Sequence, residues 1–376
     1  MYRIEFVDID TKLKDFLKTD DFENEVGRYM QSFLTKPEWE YKYWGDKKIK
    51  LKVDKDSVTY RFLQKYSRGD NLHYLLVGGL KKQMDIIKDV YNGVPNDKHP
   101  AGPFSDAFIR ISKRIKDYRK KDKSYDTKAH DDFNSIIRYI FEDNIYNNSQ
   151  NNPHIDKDAF VKRLGLRVCP YCGRQYIYGI TPERDGKGVK VKPQIDHLFP
   201  KSIYPFLAIN FFNLIPCCQA CNLEPAKGDQ DVLTQKVDGK LIINHPYEFD
   251  DKSLTFCYNL KSDELFNVDD IEINVDYHGN KILKDGYNKL FFIDEYYKYH
   301  NQEAHDIYLR LKATIYDGSK KSYDALGLGD DFWTHLPLFL FGYSLREEEA
   351  AKRPLYKFNK DIYHEMIDDF RKGKLI

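Results

Sequence analysis

The sequence predicts an α+β fold: a mostly helical chain with a small central unit held together by a four-cysteine zinc site. Three observations lead to this prediction. Apolar residues recur at helical spacing on both sides of the centre, and short apolar/polar alternations typical of strands lie within the centre and just after it. Two Cys-x-x-Cys pairs, Cys169/Cys172 and Cys218/Cys221, bracket the central segment.

The length and composition indicate a folded protein with several units. The 376 residues are enough for two or three domains. We divide them into a helix-rich N-terminal region, 1–150, a central core, 160–232, and a C-terminal region, 233–376, in which strands precede helices. Aromatic residues make up 15% of the chain, which allows a large core and argues against disorder.

The net charge and the chain's first residues limit the function classes. A formal net charge of +1 argues against a protein that coats nucleic acid by bulk charge, so such binding would need local basic patches. No apolar run approaches the roughly 20 residues of a membrane span. The first residues lack the pattern of a signal peptide, and most of the cysteines sit in Cys-x-x-Cys pairs, as in a reducing compartment. We therefore expect a cytoplasmic protein without membrane contact.

Helical spacing dominates the N-terminal region. Residues 10–34 are polar and helical in pattern, and apolar residues recur from 58 to 90 with a break at a Gly-Gly pair. The breaker-rich segment 92–103 predicts a hinge. A further helix is predicted for 131–147. Together these elements predict a helical layer ahead of the central core.

Residues 108–128 contain the densest basic run of the chain, and the apolar residues between the basic ones predict an amphipathic helix. Its candidate phosphate-contacting residues are Lys113, Arg114, Arg119 and Lys120. Contacts to a nucleic-acid backbone are one interpretation. A solvated helix face is the other, and the sequence favours neither.

The two Cys-x-x-Cys pairs predict a structural zinc site. Each pair can present two thiolates to a tetrahedral ion at distances of roughly 2.3 Å. The gap between the pairs is longer than the common spacing of about 15–20 residues, so the segment between them must fold as a compact insert. A redox dithiol or ordinary buried cysteines are the alternatives, but two matched pairs in a cysteine-poor chain favour zinc. We expect the neighbouring Cys217 to be a buried bystander.

An Asp-His pair lies between the cysteine pairs. Asp196 and His197 follow an alternation at 189–195 that predicts a strand. The hard carboxylate oxygen can hold a divalent ion, and a neutral imidazole can accept a proton from water. An isolated Asp-His pair is more typical of a protein surface. Its functional interpretation depends on Asn213 and Asn222, which follow it.

The motifs C-x-x-C, D-H-x-x-P, N-L, C-x-x-C-N and K-G occur in this order from Cys169 to Gly228. This arrangement resembles the zinc-knuckle HNH endonucleases, which have a ββα-metal core. The resemblance implies that the central core is such a ββα-metal unit, stapled by the four-cysteine zinc site. It covers only the central part of the chain.

The resemblance also implies a role for each site residue. His197 would be the general base that activates water, and Asn213 would pin the loop and orient that base. Asp196 would bind the catalytic metal together with Asn222, which stands where many members have a histidine. This oxygen-rich pair suits Mg²⁺ or Mn²⁺. Lys227 would contact a phosphate, or else end a solvated helix.

The C-terminal region changes from strand to helix patterns. Strands are predicted at 240–247, 254–260 and 271–280, and residues 244–251 are predicted to form a turn after the first strand. Helices are predicted at 287–315 and near the end of the chain, and the apolar segment 332–343 is interpreted as a core helix or a docking face for another protein. His245 and His278 have no partner at ligand spacing, so we interpret them as ordinary surface or turn residues.

These features together predict a metal-dependent HNH endonuclease that hydrolyses DNA. The order of the regions is also similar to the nuclease effectors of Septu-type and retron-associated anti-phage systems. That similarity implies control by a partner ATPase, because this chain has no P-loop pattern of its own. The alternatives are a non-catalytic zinc-knuckle protein that binds nucleic acid or acts as a scaffold, and a nuclease directed at RNA such as tRNA. The sequence does not indicate an oligomeric state.

Overall fold

The computed structural model describes residues 4, 21–36, 38–44, 47–55, 57–92, 133–147, 155, 157–177, 179, 183–184, 187–188, 193–233, 240–261, 267–316, 325, 332–372 and 374–375. Four predicted phosphate-contacting residues lie outside this set: Lys113, Arg114, Arg119 and Lys120. The predicted hinge beyond Asn92 lies outside it as well. Within the described part, helices combine with small two-stranded antiparallel sheets, which confirms the α+β class.

The N-terminal region is a layer of helices with one β-hairpin. Its elements are α1 (Phe22–Thr35), β1 (Trp39–Trp44), β2 (Lys47–Leu51), α2 (Val58–Tyr66), α3 (Gly69–Val77), α4 (Leu80–Asn92) and α5 (Phe133–Arg138), which continues as a π-helix over Tyr139–Tyr146. The predicted helical layer at 58–90 is confirmed, and α3 and α4 are separated at the Gly-Gly pair. Helix α2 begins after Ser57, whose side chain accepts a hydrogen bond from the N–H of Tyr60.

The central core is built from short elements. They are α6 (Lys157–Leu164), β3 (Glu183–Arg184), β4 (Lys187–Gly188), β5 (Gln194–His197), β6 (Leu214–Cys217) and α7 (Gln219–Asn222). Strands β5 and β6 pair antiparallel, with Asp196 opposite Ile215 and His197 opposite Leu214. The strand that the sequence predicts at 189–195 therefore extends to His197, while residues 189–192 lie outside the described part. Strand pairing fixes the backbone of both candidate site residues.

The C-terminal region packs a hairpin against helices. Its elements are β7 (Thr255–Leu260), β8 (Ile271–Asp276), α8 (Lys281–Phe291), α9 (Ile293–Tyr297), α10 (Asn301–Tyr316), α11 (Phe332–Phe341) and α12 (Tyr356–Arg371). The predicted strand at 240–247 is wrong. That segment has one isolated bridge, at Leu241. The turn predicted from residue 244 is confirmed as a 3₁₀ turn in which the His245 side chain accepts from the N–H of Tyr247.

The central core contacts both other regions. The Phe22 ring of α1 meets Phe211 edge to face, with 6.4 Å between centroids. On the other side, Tyr171 stacks on Phe291 of α8 at 4.6 Å. The hydroxyl of Tyr297 donates to the carbonyl oxygen of Cys172 at 2.7 Å. The first cysteine pair is therefore fixed to the C-terminal helices as well as to its own core.

Helix α12 covers the free edge of β7 with carboxylates. The side chain of Asp361 accepts from the N–H of Phe256 at 3.0 Å, and that of Glu365 accepts from the N–H of Tyr258 at 3.1 Å. An unpaired strand edge is a template for pairing with another chain. Here side chains of a helix satisfy two of its donors. None of the helices in the described part of the chain combines the length and the apolar character needed to cross a membrane.

Gly286→Ala is expected to destabilise the protein by about 1–3 kcal/mol, the usual cost of overpacking a tight contact. A Cβ atom at this position in α8 would overlap the carbonyl oxygen of Ile242. The effect is opposite to that at an ordinary helix position, where alanine is favoured over glycine by about 1 kcal/mol. Urea unfolding measures the change, with Asp285→Ala on the exposed face of the same helix as the control. Equal stability of the two variants would contradict this packing.

Candidate active site

Four buried cysteines from two separate segments converge at one point. The sulfur atoms of Cys169, Cys172, Cys218 and Cys221 all lie within 4.8 Å of one another. The Sγ atoms of Cys172 and Cys218 are 3.9 Å apart. A tetrahedral ion with metal–sulfur bonds of about 2.3 Å requires sulfur atoms about 3.8 Å apart. This four-cysteine cluster can therefore hold a metal ion such as zinc.

A local turn shapes each cysteine pair. In the first, the N–H of Gly173 donates to the carbonyl oxygen of Cys169 at 2.8 Å, with Gly173 at a φ of 67°. Glycine adopts this left-handed conformation without a steric penalty. In the second, the carbonyl oxygen of Cys218 accepts from the N–H of Asn222 at 3.1 Å as α7 begins. Each turn brings its two sulfur atoms to the same side of the backbone.

The pKa values of the clustered thiols shift in different directions. Burial raises the pKa of the Cys169 thiol well above its usual range, while hydrogen bonds, first of all with Cys169, lower the pKa of Cys172. Ionising all four sulfurs in a buried cluster requires a compensating positive charge. A bound divalent cation supplies that charge and replaces the thiol protons.

Asp196 is a buried carboxylate whose two oxygens both accept hydrogen bonds. The hydroxyl of Tyr171 donates to Oδ2 at 2.6 Å, and Nζ of Lys227 donates to Oδ1 at 2.9 Å. Each carboxylate oxygen has a second lone pair, so Asp196 can still offer an oxygen to a cation. Tyr171 stands inside the first Cys-x-x-Cys pair. The four-cysteine cluster thereby helps to orient the carboxylate.

The structure corrects the expectation for Lys227. The residue is fully buried, with an exposed fraction of 0%, so it has no surface from which to contact a phosphate or to end a solvated helix. Besides its ion pair with Asp196, Nζ donates to the carbonyl oxygen of His197 at 2.7 Å. Lys227 instead ties the segment after α7 to strand β5.

His197 is held as a neutral imidazole. Its Nε2 lies 3.0 Å from the carbonyl oxygen of Ala208. A carbonyl oxygen only accepts hydrogen bonds, so Nε2 carries the proton and Nδ1 is the acceptor. Burial, followed by the positive charge of Lys201, lowers the pKa of His197 to about 3. At neutral pH the ring is therefore uncharged, and Nδ1 can accept a proton.

Asn213 closes the loop between the two strands. Its side chain is fully buried; Oδ1 accepts from the N–H of Phe199 at 2.7 Å, and Nδ2 donates to the carbonyl oxygen of Leu207 at 3.0 Å. Ala208, which follows Leu207, supplies the carbonyl oxygen that fixes the His197 tautomer. Asn213 thus holds this loop closed, as the resemblance implies, while its role in orienting a catalytic base stays a prediction.

Asn210 is a buried site residue that the sequence analysis missed. Its Nδ2 donates to the carbonyl oxygens of Leu75 and Gly78 at 3.0 and 3.1 Å, and its Oδ1 accepts from Nε2 of Gln83 at 2.7 Å. Oδ1 also accepts from the N–H of Asn213. The Asn-x-x-Asn spacing is a signal for such a local cap. The partners in α3 and α4 are too far along the chain for the sequence to indicate them.

An open cleft of about 320 Å³ lies beside these residues. Its lining residues are Ile195, Asp196, His197, Pro200, Lys201, Asn222, Leu223, Glu224, Gly228 and Asp229. Nδ2 of Asn222 donates to Oε1 of Gln194 at 3.2 Å, so the amide oxygen remains for a ligand. The cleft therefore brings together Asp196, His197 and Asn222, which the sequence predicts to act together.

The chain matches no family model, no curated protein and no solved structure in the comparisons. Its function must therefore be inferred from the residues of the site.

Cys221→Ala is expected to lose the bound metal ion and to unfold at a lower temperature. Three sulfur atoms leave one coordination position open, and binding of structural zinc contributes on the order of 10–16 kcal/mol in small zinc domains. Metal content per chain by mass spectrometry and the melting temperature measure the effect. Cys217→Ala removes a buried thiol just outside the cluster and is the matched control, expected to keep its metal. Equal metal content in both variants would contradict the assignment.

Lys227→Met is expected to destabilise the protein by about 3–5 kcal/mol, because it leaves the buried carboxylate of Asp196 without its cation. Lys65→Met is the matched control. Lys65 also pairs with a carboxylate, that of Asp89 at 2.8 Å, but its side chain is 47% exposed, so the expected loss is below about 1 kcal/mol. Chemical denaturation compares the two. A similar small loss for both would show that Lys227 is not the buried ion-pair partner of Asp196.

Proposed function

We propose that this protein is a metal-dependent endonuclease of the HNH type that hydrolyses phosphodiester bonds in DNA. One observation carries the proposal: a neutral imidazole, with its proton fixed on Nε2 by the carbonyl of Ala208, stands next to a buried carboxylate at an open cleft. Hydrolysis of a phosphodiester requires a group that takes a proton from water and a cation that offsets the developing negative charge. His197 and Asp196 are suited to these two needs.

His197 acts as the general base in this proposal. Nδ1 accepts the proton of the attacking water, while the Nε2–H bond to Ala208 keeps the ring from rotating. Burial and nearby lysines make the free ring a weak base. A bound phosphate brings negative charge to the cleft, which favours the imidazolium that forms during the reaction.

Asp196 and Asn222 would hold the catalytic cation. Their ligand atoms are a carboxylate oxygen and an amide oxygen, both hard donors of the kind that Mg²⁺ and Mn²⁺ prefer. The hydrogen bonds of both side chains leave these oxygens with lone pairs for a ligand. Such a cation, when bound, would stabilise negative charge on the phosphate and the leaving oxygen.

The four-cysteine cluster takes the structural role, with zinc as its ion. It joins the segment before β5 to the start of α7, and Tyr171 within it donates to Asp196. The order β5, β6, α7 is that of a ββα unit, in which the candidate base ends the first strand and the second candidate ligand ends the helix. This order supports the HNH type over a zinc module that only binds nucleic acid.

His197→Ala is expected to lower DNA cleavage by at least about 100-fold, the usual contribution of a general base, and to leave the metal content of the four-cysteine cluster unchanged. Nicking of supercoiled plasmid with Mg²⁺ or Mn²⁺ is the assay, with EDTA as the blank. His278→Ala, which removes an exposed histidine far along the chain, controls for loss of an imidazole.

Three results of this assay would contradict the proposal. Full activity in folded His197→Ala would exclude His197 as the base. Cleavage of total tRNA without cleavage of plasmid would replace DNA by RNA as the substrate. A wild-type protein that cuts neither, with either ion, would contradict a nuclease that acts alone, and would favour the non-catalytic zinc module or control by a partner ATPase.

A further inference from the structure

The π-helix that follows α5 forms one side of the surroundings of His197. The ring of Tyr146 meets the His197 ring edge to face, with 4.6 Å between centroids. Nζ of Lys157 lies 3.8 Å from the centroid of the same tyrosine ring, and Nζ of Lys201 lies 5.4 Å from it. Two ammonium groups therefore converge on one ring beside the candidate base. We refer to Lys157 and Lys201 as the lysine pair.

Several basic side chains lie on this side of the site. Glu142, whose side chain is 7% exposed, forms ion pairs with both Lys201 and Arg138, each at 2.7 Å. One carboxylate is thus shared between two cations, and Nζ of Lys157 lies against the same tyrosine ring as Nζ of Lys201.

The cleft is divided by charge. Lys201 lines it from the segment after β5, whereas Glu224 and Asp229 line it from the segment after α7. The acidic part contains Asn222, the proposed ligand of a divalent cation. A nucleic-acid backbone carries one negative charge per nucleotide, and only the phosphate under attack can use that cation. The neighbouring phosphates need other positive partners.

We propose that the lysine pair binds the phosphate backbone of DNA next to the bond that is cleaved. The choice of DNA as the ligand rests on the proposed function. The position of the two lysines beside the cleft is independent of that proposal. Lysine suits this task because it presents a point charge on a flexible stem and contacts phosphates without reading sequence. The Lys201 side chain is 30% exposed, so it can reach a ligand in the cleft and remain near Glu142.

The test is the double variant Lys157→Gln/Lys201→Gln, with binding to a labelled DNA duplex measured by fluorescence anisotropy. No divalent ion is added, so that binding is measured apart from cleavage. We expect Kd to rise by about tenfold per lysine near 0.1 M salt, from the release of about 0.9 counterion per phosphate contact. The slope of log Kd against log salt concentration should fall by about 1 for each lysine removed.

The matched control is Lys65→Gln/Lys352→Gln, which changes the net charge equally at two exposed lysines that also pair with carboxylates. It should keep the affinity and salt slope of the wild type, as should Lys157→Arg/Lys201→Arg. The melting temperature identifies a folding defect; if the double variant unfolds, the single variant Lys201→Gln carries the test.

Two outcomes overturn the inference. One is a double variant, or a folded Lys201→Gln, that binds like the control. The other is a wild-type protein that does not bind the duplex at all. If the wild type cuts DNA but the lysine variants bind normally, the nuclease proposal stands and the lysine pair is excluded. If the lysines control binding but no cleavage occurs, the inference about the lysine pair stands and the nuclease proposal loses its support.

Discussion

The small size of the central elements is the constraint on which the rest of the structure depends. Strands β5 and β6 and helix α7 have four residues each, and elements this short are not stable by themselves. Contacts between distant segments must hold them. The four sulfur atoms join the first cysteine pair to α7, and the ammonium of Lys227 joins the segment after α7 to β5. Asn213 then closes the loop between the strands.

The same contacts decide where the candidate base stands. The imidazole of His197 is oriented by a backbone carbonyl, and that carbonyl belongs to a loop which Asn213 and Asn210 hold from two sides. Through Gln83 and the last carbonyls of α3, Asn210 extends this network into the N-terminal helical layer. The helical layer is therefore part of the support of the site, although none of its described residues lines the cleft.

The spacing of the two Cys-x-x-Cys pairs was enough to predict that their four sulfur atoms meet. Spacing alone could not assign Asp196, His197 and Asn213, whose roles came from the resemblance and remain predictions. The prediction for Lys227 was wrong because a lysine near a helix end is usually solvated, and nothing in the sequence shows that it is enclosed with Asp196.

The residues that were missed have partners far along the chain. Tyr171 contacts Asp196, Tyr146 contacts the His197 ring, and Asn210 contacts α3. Such pairings arise only when the chain is folded. The predicted strand at 240–247 failed for a different reason. Its alternation runs directly into the predicted turn at Asn-His-Pro, where the His245 side chain caps a 3₁₀ turn and Pro246 has no N–H to give to a strand partner. Too few residues remain before this turn to form a strand.

Helix α12 can cover the edge of strand β7 because the spacing of residues along a helix nearly matches their spacing along a strand. Four residues of helix advance about 6.0 Å, and two residues of strand advance about 6.6 Å. Asp361 and Glu365 are therefore spaced almost as Phe256 and Tyr258 are, so consecutive turns of the helix meet consecutive outward N–H groups of the strand. The mismatch between helix and strand grows by roughly 0.6 Å for each pair of strand residues covered. A helix can therefore take the place of a neighbouring strand only along a short strand, such as the six-residue β7.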